Sequence, residues 1–124
     1  MKKTQERYGD GYVLVVPKKN VKAYTKLAKD AGKIWMKHGA LEYKECIGDD
    51  LTHKWVTMSF KKMTNLKPTE TVWFSFITYR SKAHRDQVNK KVMKDPFMSQ
   101  DMSKSMPFDM KHMAFGGFKV AVDA

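Results

Sequence analysis

Only one cysteine, Cys46, occurs in 124 residues, so no internal disulfide can form and a reducing compartment is expected. Long apolar runs are also missing. Nothing approaches the ~18 residues needed to span a bilayer, and the run Tyr12–Val16 is too short for a secretory h-region despite Lys2 and Lys3 upstream. The cytoplasm is therefore the expected location. No histidine pair has metal-ligand spacing, since His38, His53, His84 and His112 stand far apart. No glycine-rich phosphate loop, nucleophile elbow or paired-cysteine site occurs, so no metal or cofactor is expected. Acidic residues are scarce as well: 13 against 24 Lys and Arg, a formal net charge of +11.

What remains is the composition of one globular domain, 1–124 with a polar lead-in of about eight residues, at 42% hydrophobic and 30% charged. A domain of this size can build a core without staples. The most informative stretch is Thr71–Tyr79. Alternate residues of a strand face opposite sides of a sheet, and here both sides are apolar. Val72, Phe74 and Phe76 share one side, Trp73, Ile77 and Tyr79 the other.

The remaining elements follow from periodicity and punctuation. Gly9-Asp-Gly11 reads as a turn, and Tyr12–Val16 as a buried strand closed by Pro17. Asn20 is placed to cap a helix running to about His38, with Gly39 as terminator. At about 100° per residue, Val21, Tyr24, Leu27, Ala28, Ala31, Ile34 and Trp35 gather on one side. Lys22, Lys26, Lys29, Lys33 and Lys37 gather opposite. Ala40–Ile47 reads as a second strand, with Leu41, Tyr43 and Ile47 on one face and Glu42, Lys44 and Cys46 on the other. Trp55–Phe60 is expected to add a short strand and Lys61–Glu70 a mobile loop. After Thr71–Tyr79, Ser81 should cap a helix from Lys82 to Lys94 that turns His84, Val88 and Val92 inward, with Ala83 beside them. A Met-rich connection then leads to a last strand, His112–Val122, where Gly116-Gly117 marks a bulge or a close approach.

This order is βαββαβ: an α+β, ferredoxin-like protomer with a four-stranded antiparallel sheet and two helices on one face. The open face has a footprint on the order of 400 Å². Left as apolar as Thr71–Tyr79 implies, it would be a large bare patch, and a symmetric second copy would cover it. A two-subunit dimeric α/β barrel is the expected assembly.

The blocks Asp10-Gly-Tyr-Val-Leu14, His38-Gly-Ala-Leu-Glu42, Glu45-Cys46, Trp73-Phe-Ser75, Arg85-Asp86, Asn89, Asp95-Pro96, Met106-Pro-Phe-Asp109 and Gly116-Gly-Phe118 give the chain its likeness to known proteins. It resembles the YbaA-like family of uncharacterised bacterial proteins over about Gly9–Val122. That family in turn resembles the dimeric α/β-barrel superfamily, whose protomers pack sheet to sheet. Its members include small monooxygenases, haem-handling enzymes and isomerases. The resemblance implies the fold and the dimer but supplies no catalytic residues. The chain departs from the pattern at Arg80, where a proline is common, and at His112, where an arginine is common.

Several groups could carry chemistry. Glu42 and Cys46 share a strand face, where a desolvated carboxylate could act as a base, although a lone cysteine is more often inert packing. His84, Arg85, Asp86 and Asn89 share one stretch of helix. Arg85 could hold an acid, or the group could simply fix the helix. Asp109, Lys111 and His112 could bind a small polar ligand at the sheet rim, or form a salt-bridged lid over the dimer seam. Methionines from Met98 to Met113 could suggest Cu(I), but Pro107 breaks the helix that would align them. The lysine stripe could track phosphates, yet no arginine cluster or recognition motif accompanies it, so specific nucleic-acid recognition is not expected.

The leading expectation is a cytoplasmic homodimer that binds a small organic ligand between sheet and helices, with enzymatic activity left open. Its motive is the aromatic sheet residues Trp73, Phe74, Phe76 and Tyr79 beside sparse polar groups. Glu42, Cys46, Tyr79, Arg85, Asp109, Lys111 and His112 are the candidate site residues. One alternative is a non-enzymatic interaction module that touches RNA through the lysine-rich helix face. Another, by superfamily analogy, is a cofactor-free or haem-linked monooxygenase.

Overall fold

A computed structural model describes residues 7–99 and 107–124. Most of the polar lead-in, and residues 100–106 of the Met-rich connection, thus lie outside the described residues. Four strands form one antiparallel sheet: β1 (Tyr8–Pro17), β2 (Glu42–Ile47), β3 (Glu70–Tyr79) and β4 (Met113–Lys119). Their order across the sheet is β2-β3-β1-β4. Helices α1 (Val21–Lys37) and α3 (Lys82–Met93) cross one face, and a short α2 (Phe60–Thr64) lies between β2 and β3. The ferredoxin-like expectation holds.

The register sets which side chains meet the helices. Tyr8, Asp10, Tyr12, Leu14 and Val16 of β1 lie opposite Tyr79, Ile77, Ser75, Trp73 and Thr71 of β3. One core cluster joins Leu14, Val16 and Trp73 to Tyr24 and Ala28 of α1. The other joins Ile77 and Tyr79 to Val88 and Val92 of α3. The expected inward residues of α3, His84, Val88 and Val92, are its buried ones, while Ala83 is exposed. Ser81 caps α3 by accepting the His84 N–H at 3.0 Å, a contact worth about 1 kcal/mol. The lysines of the α1 stripe are all exposed.

Five local expectations need correction. Gly9-Asp-Gly11 is no turn, because β1 is paired on both sides there, to β3 and to β4. Asn20 does not cap α1; its side-chain amide instead donates to the Pro107 carbonyl at 2.9 Å. Trp55–Phe60 adds no strand, since it finds no sheet edge to pair with. Part of the expected loop Lys61–Glu70 is helical, capped by Ser59 and ended by Asn65 in the left-handed region at φ 49°. The last strand stops at Lys119, where pairing to β1 runs out. No bulge interrupts it at Gly116-Gly117. The pair instead marks a close approach: a Cβ at Gly117 would collide with the Tyr8 ring.

The face away from the helices is partly roofed by the chain itself. Leu51 and Phe60 border one end, where Val15 and Val72 are buried. Phe74, 44% exposed, stands at the border of this roof, and towards the other end the face is bare, with Phe118 65% exposed. The Phe118 ring lies against Gly11, so a Cβ there would sit only 3.3 Å from it.

Candidate functional site

Between the sheet and α1 lies a pocket of about 190 Å³. Its walls are aromatic: Tyr12 from β1, Tyr24 and Trp35 from α1, Tyr43 from β2, and Phe108. Phe108 meets Tyr24 edge to face at 5.4 Å. The amide of Asn20 fixes the approach of this segment through Pro107.

Among the described residues, the carboxylate of Glu45 enters this apolar space. Glu45 lies on the helix-facing side of β2, opposite Ser75. Tyr24 donates to its Oε1 at 2.8 Å, Tyr43 to its Oε2 at 2.8 Å, and the Ser75 hydroxyl to Oε1. Burial pushes both phenols up, and the negative charge of Glu45 pushes them further, so each remains a donor. Tyr12 is pushed up by burial, then by the charges of Asp10 and Glu45. Gly32 makes room for this arrangement, because a Cβ there would lie 2.8 Å from the Tyr43 ring. On the other flank of α1 a more open groove of about 730 Å³ runs past Lys29 and Lys33. Tyr43 and Glu45 line both spaces.

A second polar network lies deeper, towards α3. Asp10 is 1% exposed, and its Oδ1 accepts from Arg85 Nη1 at 2.9 Å. Oδ2 is buried with no hydrogen bond in good geometry. Burial raises the Asp10 carboxyl above its ordinary range, opposed by Arg85 and, more weakly, by Asn89 and Tyr79. Arg85 also pairs with Asp86 at 2.9 Å and lies 4.9 Å over the Tyr8 ring. Asn89 Oδ1 accepts from Trp35 Nε1 at 3.2 Å and Tyr79 Oη at 3.4 Å.

The seven candidate residues fall in three places. Tyr79 and Arg85 belong to the Asp10 network. Glu42 and Cys46 are exposed on the opposite sheet face, where Thr78 donates to Glu42 at 3.0 Å. Asp109, Lys111 and His112 stand exposed on the turn before β4, with Asp109 accepting the Lys111 N–H at 3.0 Å. These three places do not share one cleft. His84 turns inward and its Nδ1 accepts the Arg80 N–H at 3.0 Å. Burial holds it below its ordinary range, with Arg80 and Lys91 adding to the effect, so it is a neutral structural group. Glu45 and Asp10 are the site residues that sequence reasoning missed. Glu45 could have been found by alternation, as the polar residue between Tyr43 and Ile47 on the apolar side of β2. No cluster of three or more metal-capable side chains occurs among the described residues.

Asp95, just after α3, ties the two helices together. It accepts from His38 Nε2 at 2.8 Å and Lys37 at 3.4 Å, and from the Phe97 N–H at 2.9 Å. The Phe97 N–H contributes most, then His38, to lowering its carboxyl from 3.8 to about 2. A depressed carboxyl stabilises the fold above its unfolded value and loses that contribution as pH falls through the folded one. The stability advantage over Asp95→Asn should therefore be constant near neutrality and vanish between about pH 4 and 2. Urea titrations of both proteins across that range check it; a gap that persists at pH 2 refutes the assignment.

A family model described as a protein of unknown function, DUF1428, matches residues 7–110. The chain belongs to the DUF1428 family. It is 39% identical over 117 residues to the uncharacterized protein YbaA of Escherichia coli strain K12, across 94% of this chain and 98% of that protein. YbaA of Shigella flexneri matches to the same extent. Among solved structures, this DUF1428 chain is similar to a dimeric ferredoxin-like protein from an uncultured marine organism. That match has a TM-score of 0.62 at 9% identity and covers 96% of this chain and 99% of the other. It is also similar to a nipsnap family protein of unknown function from Agrobacterium tumefaciens strain C58. There the TM-score is 0.56 at 16% identity, over 96% and 92% of the two chains. At these identities what is shared is the fold. No helix among the described residues is long and apolar enough to cross a membrane.

Proposed function

We propose that this protein is a homodimer that binds a small organic molecule in the pocket between its sheet and α1. The Glu45 carboxylate carries the reading: three hydroxyls hold it in place at a pocket whose walls are mostly aromatic and aliphatic. A few convergent polar groups within apolar walls are the usual make-up of a ligand site. The bare part of the opposite sheet face supports the dimer, as does the dimeric ferredoxin-like protein among its structural neighbours. The sole thiol suits a reducing cytoplasm.

Native mass spectrometry of protein purified from its own host tests both parts. The expected species has twice the chain mass and carries retained small molecules. Ala31 lines the pocket and is small enough to be enlarged into it. Ala31→Phe should therefore lower retention at least about tenfold, equivalent to about 1.4 kcal/mol of binding. A monomer in the native spectrum removes the dimer. Retention unchanged by Ala31→Phe, with the variant folded, removes the pocket.

A second reading rests on Lys22, Lys26, Lys29, Lys33 and Lys37, which present one exposed charged face on α1. That face suits a polyanion such as RNA. Lysine contacts to phosphates release counterions, so retention on RNA should fall steeply between low and physiological salt. Sequence-selective retention at physiological salt would favour the interaction module over the ligand pocket.

A further inference from the structure

We propose that the pocket selects organic ammonium ligands: a primary or secondary amine on a compact aromatic or aliphatic body. The inference rests on the reading that this pocket binds small molecules, and it adds the class. The argument is one of missing countercharge. The buried carboxylates Asp10 and Asp95 each have a cationic partner, Arg85 in one case and Lys37 in the other. Glu45 has none among the described residues, in a chain whose net charge is +11. Its three partners are neutral hydroxyls. They orient the carboxylate and leave its charge unbalanced.

Lys44 borders the same pocket but does not supply that charge. Its side chain belongs to the opposite face of β2, across from Phe76, and is exposed. Glu45 is half-buried and also borders the groove past Lys29 and Lys33, but neither lysine forms an ion pair with it, so a ligand nitrogen inside the apolar pocket can supply the missing countercharge. Among the described residues Oε2 accepts only from Tyr43, so it keeps acceptor capacity for an N–H. The rings of Tyr12, Tyr24, Trp35 and Phe108 line the same pocket, and aromatic faces attract cations. A ligand carboxylate would meet Glu45 as a like charge, and an alcohol would forgo the charge pairing.

Three matched probes separate the class from the pocket: 2-phenylethylamine, 2-phenylethanol and phenylacetate. They are titrated into the whole protein at neutral pH and followed by amide chemical shifts at Tyr43, Glu45, Ser75 and Ile77. The amine should bind at least about tenfold tighter than the alcohol, a difference of about 1.4 kcal/mol, with phenylacetate weakest. Glu45→Gln should bring amine and alcohol level. The probe ranking in the native protein stands as a test even if that variant does not fold. Equal binding of amine and alcohol, or tighter binding of phenylacetate, overturns the ammonium class and leaves the pocket standing. If no probe shifts those amides, both the class and the pocket reading fall.

Discussion

Phe74→Asp is expected to leave the protein monomeric at micromolar concentration. Phe74 sits where the roofed part of the open sheet face gives way to the bare part, with Phe76 at 5.9 Å between ring centroids and Val13 and Cys46 opposite it on the neighbouring strands. In a sheet-to-sheet dimer the substitution buries a carboxylate without a partner, and two-fold symmetry supplies a second one nearby. The penalty for each such ion is several kcal/mol, and each ~1.4 kcal/mol weakens association tenfold. Dissociation should thus shift by several powers of ten. The monomer itself should stay folded, because Phe74 is already 44% exposed and makes no part of the core under the helices. Light scattering behind a sizing column, with a thermal melt, reports both properties. A dimer that survives the substitution would place the interface elsewhere.

The second large effect lies at the Asp10–Arg85 pair. Arg85→Met should cost about 3–5 kcal/mol, because it strands a wholly buried carboxylate whose other oxygen has no hydrogen bond in good geometry among the described residues. Replacing both groups, Asp10→Leu with Arg85→Met, should recover most of the loss, since an apolar pair needs no solvation. The pH dependence is diagnostic. The Asp10 carboxyl is raised, so its protonated form is favoured on folding, and the associated stability is lost as pH rises through the folded value. Without Arg85 that rise should be larger, and Arg85→Met should weaken further as pH increases from acid to neutral. Urea midpoints for the single and double variants decide the matter. A loss below about 1 kcal/mol for Arg85→Met would mean water reaches Asp10.

How far the chain could be read depended on the length of each pattern. Helix α1 spans several turns, so its apolar and lysine faces were plain, and β3 was legible because both of its sides are apolar. Ser81 betrayed the start of α3 because its cap acts through local geometry. Failures occurred where a long-range partner decides. Gly9-Asp-Gly11 has the composition of a turn, and only pairing to both β3 and β4 makes it strand. Asn20 has the chemistry of a cap, but Pro107 lies 87 positions away along the chain. Glu45 shows the same limit within the site. Its hydroxyl donors come from α1, β2 and β3, and no local pattern announces that they converge. The chosen polar residues were those on the mixed face of β2, whereas the enclosed carboxylate lay on its apolar face.

The bare hydrogen at position 117 has reach beyond its own edge strand. The phenol of Tyr8 occupies the volume that any larger residue there would claim, and the guanidinium of Arg85 rests against that same ring. Even a methyl group at 117 would displace that ring, and with it the surface against which Arg85 lies while it holds Asp10. An atom that is not there thus keeps the most deeply sunk ion pair of the molecule in register.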